Sequence, residues 1–172
     1  MIIPPINFKQ WIDDHRHLLK PPVGNQVVYE DTEFIIMIVG GPNGRKDFHY
    51  NEGEEFFYQI EGNMQLPIIV DGKKQVVDIK EGEIFLLPPK VPHSPQRGAN
   101  TVGMVIERRR KEHELDACMW YCENCDTHLH THKFPLGDIV KQLPEILNGF
   151  YADDVLTTCK ECGTKMENPD KK

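Results

Sequence analysis

Short runs of alternating apolar and polar residues fill the middle of this chain, and helical spacing appears only near its two ends. Phe8, Trp11, Ile12, His15, Leu18 and Leu19 recur at three-to-four spacing between Asn7 and Lys20. Asn7 is placed to cap that helix and Pro21-Pro22 to end it. Strand-like runs follow at 26–30, 34–39, 56–60, 64–70, 75–79, 84–87 and 101–107. The turn signals Gly40-Gly-Pro-Asn-Gly44, Glu61-Gly-Asn63, Asp71-Gly72 and Glu81-Gly82 separate them. Many short strands without intervening helices predict an antiparallel sandwich or barrel. A second helix is predicted over Leu136 to Phe150, with Ile139, Val140, Leu143, Ile146, Leu147 and Phe150 on one face and a kink at Pro144.

Composition narrows the classes. A chain of 172 residues suits one well-cored domain with a small appendage. Its formal charge of −7 argues against a nucleic-acid partner, which needs a basic face. The basic cluster Arg108-Arg-Arg-Lys111 is short and followed by Glu112 and Glu114, so it reads as a solvated strand end. The opening MIIPPINF lacks a basic n-region and is not expected to direct export. The longest apolar run, Phe34 to Val39, is too short for a bilayer, so no membrane partner is expected. Of five cysteines, four form the pairs Cys122-x-x-Cys125 and Cys159-x-x-Cys162. Without an export signal such pairs read as metal ligands in a reducing, cytoplasmic setting. Composition changes near residue 118, which predicts a β-rich core over 1–118 and a metal-stapled tail over 119–172.

Two separated stretches share one grammar: His49, Glu55 and Gly62, then Gly82, Pro88, His93 and Arg97. This pattern resembles the paired motif of the cupin superfamily, jelly-roll barrels that point metal ligands inward. Asn51 stands where the usual motif has another histidine, while Lys90 and Arg97 replace a usual glycine and asparagine. Two imidazoles and one carboxylate on one face of a metal suit non-haem Fe(II), with positions left open. Strand alternation favours Glu55 over Glu54, because 55, 57 and 59 share a face. Arg45 and Arg97 each lie four residues from a proposed ligand, and guanidinium forks grip carboxylates. Glu107, at the end of an apolar strand, is either a base near a bound substrate or an ordinary strand-end charge paired with Arg108. The two Cys-x-x-Cys pairs can wrap one tetrahedral site for zinc or iron. His128, His130 and His132 alternate on an extended segment and read as surface residues, and Cys118 as a small apolar filler.

The chain as a whole is similar to the 3-hydroxyanthranilate 3,4-dioxygenases of the bacterial and fungal type. The segments that carry the likeness are LLKPPVGN (18–25), VGGPNGRKDFH (39–49), EEFFYQIEGN (54–63), EGEIFLLPPKVPHSPQR (81–97), VIER (105–108), WYCENC (120–125) and CKECG (159–163). The resemblance implies catalytic Fe(II) on His49, Glu55 and His93, substrate contacts from Arg45, Arg97, Glu107 and Asn25, and Arg45 beside the O₂ position. It implies that 3-hydroxyanthranilate and O₂ become 2-amino-3-carboxymuconate semialdehyde, which closes spontaneously to the NAD precursor quinolinate. It also implies a rubredoxin-like Fe or Zn on Cys122, Cys125, Cys159 and Cys162, and a homodimer. Other readings are a cupin isomerase or thiol dioxygenase, against which Asn51 and the arginine pair count, and a non-enzymatic ligand sensor.

Overall fold

A computed structural model describes residues 2–20, 24–137 and 139–169. Helix α1 runs Phe8–His15, and Asn7 caps it by accepting from the Gln10 amide at 3.0 Å. A single 3₁₀ turn at Arg16–Leu18 finishes the predicted helical region. Pro21 and Pro22, the expected helix stop, lie outside the described residues.

Eleven strands follow among the described residues. Strands β1 (Asn25–Val27), β2 (Phe34–Gly40), β4 (Glu55–Glu61), β7 (Ile84–Leu87) and β9 (Val102–Arg108) form one sheet in the order β1-β2-β9-β4-β7. Strands β5 (Met64–Val70), β6 (Lys73–Ile79) and β8 (Gln96–Arg97) form a second. Strands β3 (Phe48–Tyr50), β10 (Asp116–Tyr121) and β11 (His128–Phe134) form a third. His93 joins the latter two by bridging to His49 on one side and Ile68 on the other. The predicted strands all exist, with ends moved by at most three residues. β3, β8, β10 and β11 are additions.

Alternation explains why the sheets close on each other. In β4, Glu55, Phe57 and Gln59 are buried while the residues between them are half-buried. Asp71-Gly72, both at positive φ, forms the tight turn of the β5–β6 hairpin. Met37, Phe57, Leu87 and Val105 of the first sheet then meet Met64, Leu66, Ile68 and Ile79 of the second. Each fully buried side chain of this kind contributes about 1.5–3 kcal/mol of transfer free energy. Helix α1 covers part of the outer face of the first sheet, with Ile12 against Ile38 and Val102.

The tail is built into this frame. Residue 118, where composition changes, lies in the middle of β10, and β10 is hydrogen-bonded to the strand that carries His49. Helix α2 (Ile139–Tyr151) contains Pro144, and α3 (Asp154–Thr157) follows it. Ile139 and Val140 contribute described backbone only, so their place on the apolar face lies outside the described side chains. Phe150 stacks on Trp120 with ring centroids 4.1 Å apart, docking α2 on β10. His130 stacks on the same Trp120 at 5.9 Å and is half-buried, which corrects its reading as a surface histidine. Cys118 is fully buried, a filler as expected. No described helix is long and apolar enough to cross a membrane.

Candidate metal centre and substrate cavity

Three elements deliver three ligands to one point. β3 carries His49, the first residue of β4 is Glu55, and the bridging segment before β8 carries His93. Backbone bonds fix the two histidines to each other: His49 N–H donates to His93 O at 2.7 Å, and His93 N–H to His49 O at 2.9 Å. One ligand atom from each of His49, Glu55 and His93 lies within 4.8 Å of the others, and all three residues are buried. The donor chemistry fits a cation. Val91 O lies 3.0 Å from His93 Nδ1, which places the proton there and turns the Nε2 lone pair inward. That Nε2 lies 2.5 Å from Glu55 Oε2, an oxygen with no satisfied hydrogen bond. A nitrogen and a carboxylate oxygen so placed share a positive centre, either the imidazolium proton or a bound cation. Burial opposes the charged form of His93, but the Glu55 carboxylate outweighs it and the net shift is upward. Glu55 itself is held down at about 2: burial raises it, and the two histidines lower it more.

His49 is oriented from behind by Asp116 Oδ2, 2.7 Å from its Nε2. Asp116 is fully buried, and its hydrogen bonds from His49 and Arg110 outweigh the burial that would raise its pKa. Arg110 donates to both Asp116 oxygens at 2.7 Å and pairs with Glu107 at 2.9 Å. Within Arg108-Arg-Arg-Lys111, Arg109 and Lys111 are exposed as expected, while the Arg110 side chain is only 6% exposed. Glu107 pairs with Arg110, while Arg108 turns to Glu114 at 2.6 Å.

The ligands open onto a cavity of about 740 Å³, within the usual range for a small-molecule site. Asn25, Arg45, Arg97 and Glu107 all line it, with Met37, Phe57 and Val105 as apolar floor. Glu107 faces Glu55 across the β4–β9 ladder. Burial, reinforced by that neighbouring charge, pushes Glu107 up to about 7 against the pull of Arg110.

The two arginines differ. Arg45 is engaged with Asp47 through Nε at 3.1 Å and Nη2 at 2.5 Å. Arg97 is 4% exposed, and no ion pair among the described residues involves it. Its Nη1 donates to Gln59 Oε1 at 3.0 Å, while its Nε has no partner. Burial lowers its pKa to about 10, which still leaves it charged at neutral pH. Gly103 makes room for it, since a Cβ there would run into Arg97 Nη1 and Gln59 Oε1.

Leu143, Pro144, Leu147, Asn148 and Tyr151 of α2 form the far wall. Periodicity marks Leu143 and Leu147 as an apolar face but not the surface they cover. Gln59 shares the Glu55 face by strand alternation, whereas Asp47, Arg110 and Asp116 carry no such signal in the sequence.

The four tail cysteines converge as a second group, with Sγ–Sγ separations of 3.5, 3.6 and 3.5 Å. A tetrahedron of metal–sulfur bonds of about 2.3 Å has edges of about 3.8 Å, so the cluster fits one ion. The two knuckles repeat one backbone design. Asp126 N–H donates to Cys122 O and Gly163 N–H to Cys159 O, and both residues hold positive φ. The hydroxyls of Thr127 and Thr164 lie 3.2 and 3.3 Å from the second sulfur of each pair. Through its contacts to Thr164, Cys162 is lowered to about 5, the thiolate form a metal requires.

Comparison with known proteins bears on the family of the chain. The family described as 3-hydroxyanthranilic acid dioxygenase matches residues 1–151. A 3-hydroxyanthranilate 3,4-dioxygenase of Xanthomonas campestris pv. campestris is 52% identical over 171 residues, covering 99% of this chain and 97% of that protein. One from Burkholderia lata is 51% identical over 160 residues, 92% of each. Among solved structures, a cupin-2 domain protein from Shewanella frigidimarina covers 61% of this chain and 94% of its own at 22% identity, with a TM-score of 0.47.

Proposed function

The chain belongs to the 3-hydroxyanthranilic acid dioxygenase family, and on that premise we propose that its cavity opens the ring of 3-hydroxyanthranilate with O₂ to give 2-amino-3-carboxymuconate semialdehyde. The observation that carries the residue assignments is Arg97, a buried cation in the wall of the cavity that forms no ion pair among the described residues. An unpaired buried charge is costly unless a ligand completes it. The substrate's carboxylate does so, with bidentate geometry available from the guanidinium. Arg45 keeps N–H donors beyond those spent on Asp47, so it adds to the clamp and borders the O₂ position. Asn25 lines the same cavity and is assigned to the substrate's polar edge.

His49, Glu55 and His93 are assigned to ferrous iron, the metal suited to a facial two-histidine, one-carboxylate set. When bound, it supplies acidity toward the ring hydroxyl and a path for electron density from the ring to O₂. The chain's own work is then positional. Arg97 and Arg45 orient the ring by its carboxylate, which converts an encounter into a held geometry. Glu107, with its pKa about 7, accepts the hydroxyl proton. Leu143, Leu147 and Phe57 exclude water from the ring's apolar edge. The product closes to quinolinate without further help from the chain.

Anaerobically prepared protein given Fe(II) and then air is expected to consume 3-hydroxyanthranilate and O₂ in equal amounts. Metal-stripped protein should consume neither, and consumption without Fe(II) would reject the reading. The Cys122, Cys125, Cys159 and Cys162 site is assigned to iron or zinc in a stabilising role for the 119–172 tail, since the reaction balances its electrons internally. Five cysteines with no disulfide among them also support a reducing, cytoplasmic setting, and recovery of the chain from an exported fraction would contradict it.

A homodimer is supported by the outer face of the first sheet. Phe34, Ile84 and Leu86 are each more than half exposed there, and Phe56, Ile106 and Ile36 continue the Leu86 row across the ladder. Leu86→Glu is expected to shift the chain from dimer to monomer in light scattering. A wild-type chain that is monomeric at micromolar concentration would refute the assembly.

A further inference from the structure

We propose, building on the function above, that Arg110 is a positioning residue that ties the metal side of the site to its proton acceptor, holding His49 through Asp116 and Glu107 directly. The chain of contacts is closed and dry. Arg110 Nε and Nη2 donate to the two Asp116 oxygens, each at 2.7 Å, and Asp116 Oδ2 lies 2.7 Å from His49 Nε2. On its other side Arg110 Nη1 lies 2.9 Å from Glu107 Oε2 and donates to Arg108 O at 3.1 Å. The side chains of Arg110, Glu107 and Asp116 are 6%, 4% and 0% exposed. These bonds are therefore shielded from bulk solvent.

The arrangement answers a problem set by the ladder. Glu55 and Glu107 are cross-strand partners on one inward face, and like charges so placed repel. Asp116 adds a third buried carboxylate nearby. Arg110 is the guanidinium that neutralises two of the three in fixed directions, and its planar fork makes the Asp116 geometry bidentate. Asn51 adds a weaker bond to the same Glu107 oxygen, at 3.3 Å. A change at Arg110 thus reaches His49 and Glu107 together, although it touches neither substrate nor metal.

The test uses the full chain with its thiolate site filled beforehand with zinc. Co(II) affinity at the histidine site is read by absorption under chelator competition, and kcat and KM are read at saturating Fe(II). Asp116→Asn should loosen Co(II) by about 10- to 100-fold and lower kcat less than Glu107→Gln does. Glu107→Gln should lower kcat by about 100-fold and leave Co(II) affinity within about threefold. Arg110→Met should show both losses, and adding Glu107→Gln to it should lower kcat no further than Glu107→Gln alone. Arg110→Lys keeps the buried charge without the fork; it should show both losses in weaker form and decides the matter if the Met variant does not fold. Either loss appearing alone in the Arg110 variants, or kcat effects that multiply in the double variant, would overturn the coupling. The Co(II) measurement involves no substrate, so a failure of the substrate assignment is distinguished from a failure of this one.

Discussion

His93→Ala is expected to abolish ring cleavage, lowering turnover by about 1,000-fold or more, while the chain stays folded and keeps its tail metal. The loss follows from removing one of three protein ligands, because the remaining imidazole and carboxylate cannot hold a labile divalent ion. The survival of the fold follows from the backbone. The bonds that tie His93 to His49, at 2.7 and 2.9 Å, and Ile69 N–H to Pro92 O, at 2.9 Å, use no side-chain atom. An alanine leaves them intact. The check is metal analysis beside kinetics: wild type should carry two ions per chain and the variant one, with the four-thiolate signature unchanged. A variant that retains both ions and turns over normally would remove His93 from the ligand set.

Arg97→Ala should leave iron content near wild type and lower kcat/KM for the carboxylated substrate by about 100- to 1,000-fold. That range corresponds to one bidentate charge-assisted contact, at about 1.4 kcal/mol per factor of ten. The effect should be smaller on an analogue lacking the carboxylate, since that compound gains nothing from the guanidinium. Arg97→Ala also relieves a buried cation that burial already pulls down to about 10, so the free protein should lose little stability. Arg45→Ala should cost stability as well as binding, because it strands Asp47, which is 1% exposed. Equal kinetics for Arg97→Ala and wild type on the natural substrate would sink the clamp.

Much of the frame is legible in the sequence because alternation and turn residues agree. The β5–β6 hairpin shows this, with seven paired positions closing on Asp71-Gly72. The convergence of His49, Glu55 and His93 is legible as well, through the spacing of two half-motifs. What escapes is held by residues whose type misdescribes their place. Asp116 and Arg110 are charged residues six apart near a strand end, and charge ordinarily signals solvent. Their burial depends on pairing with each other and with His49, 67 residues away from Asp116 in the chain. β10 is hidden for the same reason, since it begins on that aspartate. β3 is hidden because three residues, Phe48-His-Tyr50, are too few to show a period. The position of α2 is hidden differently. Its apolar face is plain, yet a periodic face names no partner.

That last point bears on inheritance. The wall of the catalytic chamber made by Leu143, Leu147 and Tyr151 belongs to the same segment that leads into the second cysteine pair, about fifty positions beyond His93. The barrel and its tail therefore cannot drift as independent modules. A lineage that discarded the tail would also have to rebuild one side of the chamber, and a grafted barrel without α2 would arrive open. A substitution in α2 therefore reshapes the cavity as directly as one in the strands that carry His49 and Glu55.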